Sequence, residues 1–127
     1  MLGKNFFSGC LTRHVSLNFV NALTMATPEE PISLETCEQQ HREHIRLIQE
    51  NLPDLRVHEL DADPQCPDCM FIEDTCVVIG NSVVLSQPGD KSRRGEIPPV
   101  LDFWESQRAN DSCYTKYVTN MSTFFSE

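Results

Sequence analysis

Three carboxylates, Asp68, Glu73 and Asp74, stand in a short apolar setting of Met70, Phe71, Ile72, Val77, Val78 and Ile79. Charged groups within an apolar run are costly to bury unless a cation meets them. Two cations are available in principle: an arginine of the same chain, with Arg56, Arg93 and Arg94 as candidates, or a cationic ligand. The first makes the acids structural. The second makes them a binding site, in which their mutual repulsion stays unrelieved until the ligand arrives. We take the ligand reading as the expectation, with Glu73→Gln/Asp74→Asn as the variant that separates the two.

The elements that must position these groups follow from hydrophobic periodicity. Leu11 to Val20 approaches period-two alternation, with Val15, Leu17 and Phe19 on one face and His14 and Asn18 on the other, and reads as a first strand. Thr24 to Ile32, with Pro28 and Pro31, is a loop. Ser33 is a candidate N-cap for a helix to about Asn51, because Leu34, Cys37, His41, Ile45, Ile48 and Leu52 recur at spacings of three and four. Glu38 and Arg42 form a favourable i,i+4 pair. Leu55 to Leu60 reads as a second strand. Met70–Ile79 and Ser82–Gln87 read as two more, joined by a Gly80-Asn81 turn. Strand, helix and three strands make one small α/β module.

The order of motifs resembles the dimethylarginine dimethylaminohydrolases of the guanidine-modifying pentein superfamily. The resemblance rests on Gln40-His41, Val57-His58-Glu59-Leu60, Pro67-Asp68-Cys69, Phe71-Ile72-Glu73-Asp74, Ser86-Gln87-Pro88-Gly89 and Ser92-Arg93-Arg94, and runs from about Leu11 to Glu96. It implies one ββαβ-type module, or slightly more, of a five-bladed α/β propeller, in truncated form. By resemblance, Glu73 and Asp74 hold the guanidinium nitrogens of the substrate, Asp68 is a further substrate-contacting acid, and Arg93 pairs with the substrate carboxylate. Fixed acids suit a planar multi-donor cation, and an arginine fork suits a carboxylate. The family loop near Thr24–Ile32 covers the active site, and here it is shorter. No cysteine or histidine matches the family nucleophile or proton donor. Cys113 lies in a different context, and His14, His41, His44 and His58 do not match, so no catalytic residue is assigned. The implied partner is a methylated arginine or similar guanidinium amino acid, and no cofactor is expected.

Rival chemistries are weaker. His41 and His44 are spaced i,i+3, whereas zinc on a helix favours i,i+4, so no metal site is assigned to them. Cys66-Pro-Asp-Cys69 is half a zinc motif or a redox dithiol, but it precedes a strand rather than opening a helix.

Composition sets the bounds. The chain of 127 residues is 39% hydrophobic and 23% charged, with net charge −9. Residues 29–90 hold fourteen acids against three arginines, which argues against nucleic acid or an anionic membrane as partner and favours a cation. Six cysteines without a secretory signal fit reduced thiols and a cytoplasmic location. The acid-free first 26 residues leave a mitochondrial presequence as the alternative. The expected organisation is a leader at 1–10, the module at 11–97 and a divergent, mobile tail at 98–127. After Arg94, Gly95, Pro98 and Pro99 interrupt the long helix that the resemblance implies, and Val100 to Gln107 reads as a short amphipathic helix. A lone blade would expose strand edges and an apolar face, so self-association is expected.

Overall fold

Ser33 fixes where the long helix of the computed structural model begins, which describes residues 8–110. Its hydroxyl accepts from the Thr36 amide at 3.2 Å, and the helix, α1, runs from Leu34 to Asn51 as the apolar spacing predicts. Ile45 is its buried residue, flanked by half-buried Leu34, Cys37, His41 and Ile48. α1 connects two short parallel strands, β1 (Gly9–Arg13) and β2 (Arg56–Leu60), in register from Gly9 opposite Arg56 to Arg13 opposite Leu60. Parallel strands need such a crossover, and a helix supplies it. These elements lie in the first of two compact units, which divide between Met70 and Phe71.

β1 is shorter than the alternation implied. Beyond Arg13 the ladder gives way to side chains bonding the chain that follows β2. Arg13 Nε donates to the Asp61 carbonyl at 2.8 Å, Ser16 Oγ to that of Asp63 at 2.9 Å, and Asn18 Nδ2 to that of Pro64 at 2.8 Å. These side chains take up carbonyls of the segment after β2 in place of further ladder bonds. Val15 is buried as expected, but Leu17 is 64% exposed, and Phe19–Asn21 forms a single 3-10 turn.

The second unit begins with another departure. The stretch expected as one strand from Met70 opens with turns, then a 3-10 turn at Ile72–Asp74, and becomes strand β3 only at Cys76–Ile79. Thr75 accounts for this: its amide and its hydroxyl both donate to the Ile72 carbonyl, at 3.0 and 2.6 Å. β3 pairs antiparallel with β4 (Ser82–Leu85) through the two-residue turn Gly80-Asn81. Gly80 has φ +58°, a conformation that glycine adopts without a Cβ penalty. Val83 and Leu85 are buried on β4, while Val77, Val78 and Ile79 of β3 are exposed.

Residues 91–96 form a 3-10 segment leading into α2 (Ile97–Asn110). Pro98 and Pro99 were expected to interrupt a helix here; instead they occupy its first turn. There an amide has no intrahelical acceptor, and a fixed φ is an advantage. Val100 is fully buried and α2 packs on β4. The expected tail beyond residue 110 lies outside the described residues.

Candidate functional site

Glu73 and Asp74 sit at the end of the 3-10 turn, both exposed. The turn is fastened to the hairpin by the Ser86 amide, which donates to the Thr75 carbonyl at 2.9 Å, and by the Ser86 hydroxyl, which donates to the Asp74 carbonyl. The backbone beneath the two acids is therefore fixed, although their side chains face solvent.

Arg93 reaches the same turn. Its Nη1 donates to Asp74 Oδ2 at 2.8 Å, while Nε and Nη2 donate to the two carboxylate oxygens of Glu96 at 3.0 and 2.9 Å. Nη2 also lies 3.4 Å from the Phe71 carbonyl. The arginine side chain is 15% exposed and that of Glu96 0%, whereas that of Asp74 is 54% exposed. The Glu96 carboxylate, then burial in the opposite sense, then Asp74 act on the guanidinium, and its pKa is held above the ordinary arginine value.

This corrects the expectation that the acids repel one another unrelieved. Asp74 already has an intramolecular cation, the outcome named for the structural reading. Glu73 differs: its side chain makes no hydrogen bond or ion pair among the described residues. The sequence reading missed Glu96. The available signal was the Arg93-x-x-Glu96 spacing, since residues three apart eclipse in a 3-10 segment.

Asp68 belongs to the first unit. It is buried, at 4% exposure, and both carboxylate oxygens lie 3.1 Å from the Leu23 amide. There it anchors the loop that follows the Phe19–Asn21 turn. Beside it, the side chains of Cys66 and Cys69 are buried. Cys69 Sγ accepts from the Asp63 amide at 3.5 Å and donates to the His14 carbonyl at 3.8 Å, so this C-x-x-C is a packed turn.

In the second unit a cavity of about 340 Å³ is lined by Leu85, Gln87, Pro88, Arg94, Ile97 and Leu101, among others. Glu73, Asp74 and Arg93 are not in its lining. For metal ligation, His44 is not the partner of His41. His14, His41 and Glu59 bring ligand atoms within 4.8 Å of one another. Among the described residues no helix is long and apolar enough to cross a membrane.

Part of the chain is similar to proteins already known. The chain is 30% identical over 90 residues to the N(G),N(G)-dimethylarginine dimethylaminohydrolase of Pseudomonas aeruginosa, covering 71% of this chain and 34% of that protein. It is 45% identical over 65 residues to that of Streptomyces coelicolor, covering 51% and 24%. It thus spans about a third or less of the curated relatives it matches. No family model matches.

Among solved structures, dimethylarginine dimethylaminohydrolase from Pseudomonas aeruginosa in complex with citrulline superposes with a TM-score of 0.70 at 23% identity, over 87% of this chain and 41% of that one. A dimethylarginine dimethylaminohydrolase adduct with S-methyl-L-thiocitrulline gives 0.73 at 24%, over 87% and 41%. The N-terminal domain of ArgZ, a cyanobacterial arginine dihydrolase, gives 0.67 at 23%, over 90% and 40%. The fold is therefore that of the N-terminal part of a pentein.

Proposed function

We propose, on the premise that the chain is related over part of its length to the dimethylarginine dimethylaminohydrolases, that it is a guanidinium-amino-acid-binding portion of such a protein. The family reaction hydrolyses methylated arginine to citrulline and a methylamine. In this reading Glu73 and Asp74 face the guanidinium, Asp68 is a further substrate-contacting acid, and Arg93 takes the carboxylate. Residues 11–97 form the kindred module and 98–127 diverge from it.

The observation that carries the reading is the pair of adjacent acids on a backbone-anchored turn within a chain of this kinship, one acid held by Arg93 and the other presented to solvent. Arg93 is already engaged by Glu96 and Asp74, so binding a substrate carboxylate would require it to exchange partners. The second reading, a non-catalytic binding or interaction protein, is favoured by that same engagement. The third, a C-x-x-C metal or redox domain, is disfavoured by the burial of both thiols, because exchange requires an accessible thiolate. Exposed Val77, Val78 and Ile79 support self-association.

Chemistry on the substrate needs a thiolate at the central guanidinium carbon and an acid at the leaving amine. No residue of the 127 matches either, so the purified chain is expected to form no citrulline from dimethylarginine above a heat-killed control. Citrulline production abolished by thiol alkylation would overturn this, and Cys113→Ser would then identify the nucleophile. Binding is read separately, by chemical-shift perturbation with arginine. Loss of that perturbation in Glu73→Gln supports the binding role, and its persistence removes Glu73 from the site.

A further inference from the structure

Three elements of the first unit each deliver one potential metal ligand to a common point. His14 follows β1, and its amide donates to the Leu60 carbonyl at 3.0 Å, which holds it beside the end of β2. Glu59 lies on β2, with His14 Nδ1 3.6 Å from its Oε2. His41 comes from α1, its ring 6.3 Å from that of His14 in an edge-on arrangement. The donor atoms of all three lie within 4.8 Å of one another.

The arrangement is not explained by the contacts it makes internally. At 3.6 Å His14 Nδ1 and Glu59 Oε2 are within ion-pair range of each other but beyond hydrogen-bond distance. The Nε2 of His41 is buried and has no hydrogen-bond partner among the described residues. A buried polar atom without a partner needs an explanation, such as an ion.

We propose that His14, His41 and Glu59 form a binding site for a divalent first-row cation of the zinc type. Two imidazoles and a carboxylate are a donor set for zinc, with a fourth position left to water. Ligand bonds of about 2.0–2.2 Å put donor atoms around a tetrahedral ion roughly 3.3–3.6 Å apart. The His14–Glu59 pair already has that spacing, and the other two pairs lie within 4.8 Å. His14 and Glu59 are part-exposed, with side chains 52% and 33% accessible, so the ion has a route in. Once bound, it ties α1 to both strands, which gives the site a structural rather than a catalytic role.

Titration of the full 127-residue chain with Co2+ alone tests this. The expected result is saturable one-to-one binding with ligand-field absorption, no sulfur-to-cobalt charge-transfer band, displacement by Zn2+, and a melting temperature that rises with zinc. Loss of an outer-sphere partner alone weakens metal sites about 10–100-fold, so His41→Ala and Glu59→Gln should each weaken binding at least tenfold. His44→Ala should leave it unchanged. Glu59 is exposed, so its variant remains informative even if His41→Ala does not fold. Absent binding, a thiolate charge-transfer band, or unchanged affinity in Glu59→Gln overturns the proposal.

Discussion

Arg93→Ala is expected to destabilise the chain by about 3–5 kcal/mol, because it takes the cation from a buried carboxylate. The two arms of the arginine differ in weight. Glu96 is fully buried and bound at both oxygens, whereas Asp74 is more than half exposed. An exposed pair contributes at most about 1 kcal/mol, so the Glu96 arm dominates. Asp74→Asn should accordingly cost little, and so should Glu73→Gln/Asp74→Asn, whose acids are both exposed. Arg93→Lys should not restore stability, since an ammonium cannot grip one carboxylate at both oxygens and reach another. Urea unfolding of Arg93→Ala, Glu96→Gln and the double variant checks this. The double variant should lose much less than the sum of the two single losses, because no buried charge is then left unpaired; a loss below about 1 kcal/mol in Arg93→Ala would show that the buried pair contributes no more than a surface one.

Asp68→Ala should cost about 1–3 kcal/mol, the range for a hydrogen bond to a charged acceptor. Its carboxylate is the acceptor for the Leu23 amide, and removing it frees the loop at Leu23 to solvent. Part of the loss is offset because a buried charge disappears with the bond. The effect should be local: amide exchange at Leu23 should accelerate while β1 and β2 amides keep their protection. Asp68→Asn, which retains an acceptor oxygen, should fall between. Unchanged exchange at Leu23 in Asp68→Ala would mean that the anchor is not Asp68, and the ligand-binding role would then be the simpler account of its burial.

Helix α1 was legible because one cap and one apolar stripe agree, and neither depends on distant residues. The β3–β4 register was legible for a similar reason, since Gly80-Asn81 fixes a two-residue turn. The 3-10 turn carrying Glu73 and Asp74 was not. Apolar residues surround it as they would a strand, and only the hydrogen bonds of Thr75 to the Ile72 carbonyl break the pattern. The start of α2 was misread by treating Pro98 and Pro99 as interior residues. Of the acids singled out as needing a cation, Asp74 has one in Arg93, whereas Asp68 is met by the Leu23 amide; Glu96, outside the apolar run, was overlooked as the main partner of Arg93. The His14, His41 and Glu59 group could not be read from spacing, because its members meet only when β1, α1 and β2 have assembled.

The β1–β2 pairing has a consequence for the order of events as the chain folds. It joins residues 9–13 to 56–60, so a long segment, α1 included, must close before any of its hydrogen bonds form. The β3–β4 ladder closes over two residues. Closure entropy grows with loop length, and contacts distant in sequence form slowly. The hairpin, and with it the turn holding Glu73 and Asp74, should therefore be in place first. Pulse-labelled exchange would then find Val77 and Val84 protected before Cys10 and His58, and the reverse order would mean that α1 nucleates the parallel pair. The carboxylate turn would thus be a product of early, local assembly, formed before β1 has found β2.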